Sequence, residues 1–220
     1  KIFDKDYLDL EIGDYEQYHH KISTSNLWRI NLVSKLVPPG ASVLDVGCST
    51  GFNAVFLKKK RNIKYTGFDV SKAAIAKAKK KGLNVFTGDA NEFNLKKKFD
   101  YVTILETLEH LVNPVGSLLS AKKHAKKGII VSLPNSGYFT WRLQLLLGIF
   151  PRQSFTHLHY WSIRDFEQFC KTLGLTIAGR LFYSDDLGFF KRKLIDLFPN
   201  LFAYQMIFLL VPTSTIKETL

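Results

Sequence analysis

From Ser42 onward, short β-branched runs alternate with segments whose apolar residues recur at helical spacing. Strands are expected at "SVLDV" (42–46), "KYTGFD" (64–69), "LNVFT" (83–87), "FDYVTIL" (99–105) and "GIIVSL" (128–133). Helices are expected between them, over 52–60, over the alanine- and lysine-rich 72–81, and from Pro114 to about Ala125, where proline takes a favoured first-turn position. Such βαβα alternation implies an α/β fold, a doubly wound and mostly parallel sheet joined by right-handed crossovers.

After Leu133 the regularity breaks. Residues 134–161 are aromatic and basic, are punctuated by Pro134 and Pro151, and read as an insertion over one edge of the sheet. Ser162 can cap a helix from Ile163 to about Leu173, with Asp165 in its first turn. A sixth strand is expected at 175–182 and a further helix at 190–198. The apolar run 201–211 lies between Pro199 and Pro212; it is too short for a spanning helix, which needs roughly 20 apolar residues. It reads instead as a seventh strand buried on both faces. A helix is expected over 23–37, ended by Pro38-Pro39-Gly40. With no repeat and no linker, residues 1–220 form one expected domain.

Composition changes this picture little. The 220 residues are 46% hydrophobic and 23% charged, as in ordinary globular proteins. Cys48 and Cys170 make no disulfide framework and have no metal-ligand spacing, so a cytoplasmic location is expected. The opening "KIFDKDYLDLEIGD" is charged, has no signal-peptide pattern and lacks an initiating methionine, so the numbering can begin inside a longer chain.

The net charge of +12 raises the possibility of a nucleic-acid or anionic-membrane partner. However, the lysine clusters at 58–61, 77–81, 96–98 and 122–127 all fall just before a strand. That is the amino-terminal edge of a parallel sheet, whereas ligands bind outside the carboxyl ends. A solvated basic rim is the favoured reading, and nucleic acid is not. On the ligand edge the basic candidates are Arg142, Arg152 and Arg164. No feature sets an oligomeric state.

Candidate chemistry concentrates at strand ends. "VLDVGCSTG" (43–51) is a strand entering a glycine-bearing turn and then a helix, so backbone can approach a ligand closely at Gly47 and Gly51. Its G-x-S-x-G spacing differs from the G-x-G-x-x-G that seats a pyrophosphate. The next strand ends at Asp69, placed to receive ribose hydroxyls, and the third is followed by "GDA", with Asp89 and Ala90. Behind the fourth strand, "ETLEH" sets Glu106, Glu109 and His110 on one face of any helical turn. Three uses stay open for it: a divalent-metal site of Glu106, Glu109, His110 and His157, a metal-free acid–base group, or structural capping. His157 and His159 of "THLHYW" could reach the same place from the insertion.

Residues 42–133 resemble the class I S-adenosylmethionine-dependent methyltransferases, a Rossmann-like fold. The resemblance implies strand order 3-2-1-4-5-7-6 with an antiparallel last strand, which accounts for the apolar tail. It implies S-adenosylmethionine as cofactor, with Asp45, Gly47 and Gly51 around its methionine part. Asp69 would hold the ribose, Asp89 and Ala90 the adenine edge, and Cys48, Val70 and Leu105 would make further contacts. Ser49 stands where many members have glycine. An amino-terminal helical segment, here 1–40, lids the cofactor in this class and brings in Tyr18, His19 and Trp28.

Within the class, Gly128 to Leu175 looks like the MetW-type proteins, which usually lack E-x-x-E-H. "FDYVTILETLEHLVNP" is similar to the ubiquinone-biosynthesis O-methyltransferases and to small-RNA 2′-O-methyltransferases, in which the same motif and a later histidine bind a metal. The function expected is methyl transfer to oxygen of a small or sugar-like acceptor, with His110, Glu106 and His157 catalytic and no resident metal assigned. Tyr138, Phe139, Trp141, Tyr160 and Trp161 would wall the acceptor pocket. The alternatives are a MetW-like accessory protein stimulating a biosynthetic partner enzyme and a metal-dependent RNA 2′-O-methyltransferase.

Overall fold

The structure, a computed structural model, describes residues 24–151, 154–184 and 189–213. Tyr18, His19 and Arg152 lie outside the described residues. The elements run α1 (Thr24–Leu36), β1 (Ser42–Val46), α2 (Phe52–Arg61), β2 (Lys64–Asp69), α3 (Lys72–Lys80), β3 (Val85–Thr87) and β4 (Phe99–Leu105). A 3-10 turn (Leu108–His110) then leads to α4 (Pro114–His124), β5 (Ala125–Pro134), α5 (Phe139–Leu146), α6 (Ile163–Thr172), β6 (Leu175–Tyr183), α7 (Phe189–Leu197), the single-turn α8 (Pro199–Phe202) and β7 (Gln205–Pro212).

The strands form one seven-stranded sheet in the order β3-β2-β1-β4-β5-β7-β6. Pairing is parallel from β3 through β5, while β7 runs antiparallel to both β5 and β6. This is the expected topology. β7 lies between two partners, so its apolar run is buried on both faces, from Met206 at 0% exposed to Leu210 at 0%.

Alternation along the central strands builds two cores. Leu44, Val102, Ile129, Val131 and Phe208 face Leu118 of α4 and Phe166 of α6. Val43, Ile130 and Ile207 face Ile30 and Val33 of α1, Leu57 of α2 and Ile75 of α3. Each large aliphatic or aromatic side chain so buried contributes about 1.5–3 kcal/mol.

Helix starts follow the sequence closely. Ser71 accepts from the Ala74 N–H, Asn113 accepts from the Gly116 N–H ahead of Pro114, and Ser162 with Asp165 forms a reciprocal capping box. Lysines close α2, α3 and α4, where cations offset the negative end of the helix dipole, but Lys81 at the end of α3 departs from the expected amino-terminal edge and donates to the Thr50 carbonyl in the β1–α2 turn (2.8 Å).

Three elements differ from expectation. β3 starts at Val85 because Leu83 leaves the sheet to pack under the β1–α2 turn. The insertion contains α5, which has no capping side chain and is anchored by buried Trp141. Pro199 opens a helical turn, so β7 begins at Gln205 rather than Leu201. Among the described residues, no helix is long and apolar enough to cross a membrane.

Candidate functional site

The turn after β1 is shaped by close packing. Gly47 (φ +74°) and Gly51 (φ +78°) occupy the left-handed region that glycine enters at little cost. A Cβ on Gly47 would lie 2.5 Å from the Thr107 side chain, and one on Gly51 would lie 2.2 Å from Leu83 Cδ1. The Gly47 and Cys48 N–H groups both donate to the Phe68 carbonyl at 2.9 Å, locking the turn to the end of β2.

Asp69 follows at that same end. One carboxylate oxygen accepts from the Ser49 N–H (2.8 Å) and the other from the Ser71 N–H (2.9 Å). Burial pushes its pKa up, and these N–H donors oppose the shift. The Val70 N–H also acts on the carboxylate, which as a whole still has acceptor capacity for a further donor. Asp45, 2% exposed, lies beneath the turn with both oxygens engaged, by Tyr65 OH at 2.9 Å and Thr103 Oγ1 at 2.7 Å. Burial raises its pKa to about 6. It therefore ties β1 to β2 and β4. Val70 is exposed, Ala90 is packed into the core, and Asp89 is exposed and accepts from both the backbone and side-chain nitrogens of Asn91.

One cleft gathers Gly47, Cys48, Ser49, Leu105 and Glu106 with three residues that sequence reasoning missed: Asn26, Arg29 and Asn53. Arg29 is 9% exposed in an otherwise apolar stretch of α1, a charge on a buried face that the pattern "LWRINLV" could have signalled. Its Nη2 donates to Asn26 Oδ1 (2.7 Å), its Nη1 is 3.9 Å from Glu106 Oε2, and its buried Nε has no hydrogen-bond partner. Asn53 Oδ1 is likewise buried and unpaired. Trp28 lies elsewhere, stacked on Tyr183 at 5.4 Å.

Beyond β4 the chain turns through Glu106, which has φ +49°, a strained value for a residue with a side chain. Glu106 Oε1 accepts from Ser132 Oγ (2.8 Å) and Oε2 from Gln205 Nε2 (3.3 Å). Glu109 is 1% exposed and neither carboxylate oxygen has a partner. Burial first, and then the charge of Glu106, hold its pKa well above the carboxylate range. Its backbone carbonyl accepts from the Leu158 and His159 N–H groups at 2.8 and 3.1 Å, stapling the insertion to the 3-10 turn.

That staple sets the His157 ring against His110, with centroids 4.7 Å apart and planes nearly perpendicular. His157 Nδ1 is buried without a partner, and burial, helped by His110, lowers its pKa to about 4. Glu109, His110 and His157 each offer a ligand atom within 4.8 Å of the others. Of the four residues considered for a metal, the structure brings these three together; Glu106 turns to Ser132 and Gln205. A carboxylate with two unpaired oxygens beside two imidazoles fits a divalent ion of the Mn²⁺ or Zn²⁺ kind. His159 instead points its Nε2 at the Leu111 carbonyl (3.0 Å) and stacks on Trp161. Tyr138 and Trp141 pack on Tyr204, Phe139 on Phe202 and Trp161 on Phe166 and Phe169, while Tyr160 borders His157 at 6.2 Å.

The family profile described as methionine biosynthesis protein MetW matches residues 29–210, from Arg29 almost to the end of β7. The chain belongs to the MetW family. Curated relatives of this MetW-family protein include a ubiquinone biosynthesis O-methyltransferase of Azoarcus sp., 26% identical over 154 residues (63% of this chain, 66% of the relative). Another is the protein of the same name from Pseudomonas fluorescens, 31% identical over 124 residues (52% and 53%). The match thus spans between about half and two thirds of these relatives' length.

Solved structures with the same fold include a possible histamine N-methyltransferase of Thermotoga maritima (TM-score 0.68, 19% identity, 93% of this chain and 97% of that one). Magnesium protoporphyrin IX methyltransferase of Synechocystis, solved with bound S-adenosylhomocysteine, scores 0.67 at 18% identity over 94% and 97% of the two chains. The MetW-family chain therefore has the Rossmann-like methyltransferase fold that the resemblance of residues 42–133 implied.

Proposed function

We propose that this protein is an S-adenosylmethionine-dependent methyltransferase that methylates a hydroxyl of a small-molecule acceptor. The observation that carries the reading is the single cleft joining the glycine turn, Leu105 and the Arg29–Glu106 pair, with Asp69 at the adjoining tip of β2. Its opposite charges suit the zwitterionic end of the cofactor. The unpaired Arg29 Nε would meet the carboxylate and Glu106 the ammonium, while the remaining acceptor capacity of Asp69 would receive the ribose hydroxyls. When bound, the cofactor supplies an electrophilic methyl group on a sulfonium.

The chain's own residues supply alignment and proton removal. Displacement at the methyl carbon needs an in-line acceptor oxygen, so positioning accounts for much of the acceleration. The His110 and His157 rings stand against each other as the candidates to take the hydroxyl proton. Burial lowers the His157 pKa to about 4, which keeps it neutral at physiological pH but makes it the weaker base, so the role falls first to His110. A second reading is favoured by the unpaired oxygens of Glu109: with His110 and His157 it would hold a divalent cation, whose chemistry there is to lower the pKa of an acceptor hydroxyl. The RNA alternative has less support, because Arg29 is the one basic side chain among the described residues that line the cleft, while the lysine clusters close helices and Lys81 is tied to the Thr50 carbonyl.

The test is calorimetric titration with S-adenosylhomocysteine followed by transfer of labelled methyl from S-adenosylmethionine to hydroxylated acceptors. Binding with acceptor-dependent turnover is expected, and absence of binding overturns the proposal. Binding without turnover, together with stimulation of a biosynthetic enzyme, would instead establish the accessory role implied by the MetW resemblance. Loss of turnover on chelation, restored by Mn²⁺, selects the cation reading; unchanged turnover selects the metal-free one.

A further inference from the structure

The insertion returns to the site through the stretch from Ser154 to His159, which touches both Glu109 and His110. The Leu158 and His159 N–H groups hold the Glu109 carbonyl, and the His157 ring stands against the His110 ring. The Thr156 carbonyl lies 3.2 Å from His110 Nδ1, and that contact decides where a proton sits. A carbonyl oxygen only accepts, so Nδ1 must carry the hydrogen and donate it. The neutral ring then keeps its lone pair on Nε2.

The carbonyl is itself held by a short turn. The His157 N–H donates to the Ser154 carbonyl at 3.4 Å, and the Thr156 N–H donates to Ser154 Oγ at 3.2 Å. The Ser154 and Thr156 hydroxyls share a further hydrogen bond at 2.8 Å. A serine hydroxyl that takes the N–H two residues on fixes a turn locally, without help from the rest of the fold. Neither Ser154 nor Thr156 lines the cleft that gathers Gly47, Arg29 and Glu106, so their effect on the site runs through His110.

We infer that Ser154 and Thr156 are positioning residues for the reaction: their turn holds His110 as its Nδ1–H tautomer, so that Nε2 is the nitrogen that takes the acceptor's proton. For the use of that proton the inference rests on the methyl-transfer reading; for the tautomer it rests on the hydrogen bond alone. As the acceptor oxygen is methylated, the new O–C bond forms on an oxygen lone pair and the S–C pair stays on sulfur. The O–H pair stays on oxygen while its proton moves to Nε2. The positive charge that arrives on the sulfonium thus leaves on the imidazolium, whose Nδ1–H bond to the Thr156 carbonyl strengthens with the charge. Release of a proton to water restores the neutral ring. A ring protonated on Nε2 instead would have no lone pair there for this step. In the cation reading the same hydrogen bond makes Nε2 the ligand atom, since Nδ1 is engaged either way.

Nuclear magnetic resonance of the full chain with isotope-labelled histidine, in chelator, tests it. Two-bond proton–nitrogen spectra above about pH 8, where imidazoles are neutral, show which ring nitrogen is protonated. The His110 pattern is identified by its loss in His110→Gln. A protonated Nδ1 is expected in the parent. Ser154→Ala should give a mixture of tautomers and lower acceptor turnover about tenfold, a fraction of what a general base contributes. Its KM for the methyl donor and its S-adenosylhomocysteine affinity should stay as in the parent, and Ser154→Thr, which keeps the hydroxyl, should restore both tautomer and turnover. A protonated Nε2 in the parent overturns the inference whatever the turnover, and so does a Ser154→Ala protein that keeps the parental tautomer. Absence of turnover in the parent counts against the methyl-transfer reading instead, and the spectrum still decides the tautomer.

Discussion

The β1–α2 turn and the turn after β4 stand on either side of one cleft, yet they are built differently. At the first, Asp45 pairs with Tyr65 and Thr103, Asp69 with Ser49 and Ser71, and the Gly47 and Cys48 amides with Phe68, with Asn53 Oδ1 the buried exception. At the second, both Glu109 oxygens and His157 Nδ1 are buried without partners. Burial of an unpaired polar group costs about 1–3 kcal/mol, so such groups persist where something outside the chain completes them. The first turn is held by hydrogen bonds of its own chain, whereas the second buries polar groups that its own chain leaves unpaired.

The comparison can be broken by mutation, and the largest effect belongs to the first turn. Gly51→Val puts a branched side chain at φ +78° against Leu83, and should cost about 4 kcal/mol in urea unfolding. Asp69→Ala removes two charge-assisted acceptors without touching the core. S-adenosylhomocysteine affinity should fall about 100-fold with the fold retained, and unchanged affinity would refute the ribose assignment.

Asp45→Asn tests whether a paired carboxylate can still be a burden. The folded-state pKa of about 6 exceeds the ordinary aspartate value of 3.8, so the protonated form is favoured in the fold. Stability linked to Asp45 is complete below pH 4 and is lost as pH rises through 6. The asparagine can accept from Tyr65, and Thr103 can turn its proton to the Leu44 carbonyl and accept from the amide. The variant should therefore be more stable than the parent by about 2–3 kcal/mol above pH 6, with the difference vanishing below pH 4.

On the unpaired side, Glu109→Gln in the presence of chelator should raise stability by about 1 kcal/mol, increasingly so as pH rises, because the parent must ionise a buried acid. The smallest change belongs to neither turn. Trp28→Ala, half-exposed on Tyr183, should cost less than about 1 kcal/mol and leave S-adenosylhomocysteine binding untouched.

Legibility in the sequence followed the same division. Strand alternation, Ser71, Asn113 and Ser162 as caps, and Asp69 at the tip of β2 are local patterns, and each appears where the residues place it. The strand order came through resemblance, since pairing β7 between β5 and β6 is a non-local event. Asp45 entered the candidate site through the family resemblance; that Tyr65 and Thr103 engage both its oxygens is a non-local fact that the sequence does not display. Arg29 was missed because one charge in an apolar helix reads as a solvated face, and its partner Glu106 is far along the chain. α5 was missed because it has no side-chain cap and no repeating apolar stripe to announce it.

The paired N–H groups of Leu158 and His159 on the Glu109 carbonyl divide the 134–161 loop into a tethered end and a free middle. Insertions or deletions between Leu143 and Phe150 would be absorbed by the outer part of the loop, with His157 keeping its place beside His110. A graft that exchanges this tip between homologues would leave the His110–His157 pair in register. One removing residues after Phe155 would shift the imidazole and dismantle the pair.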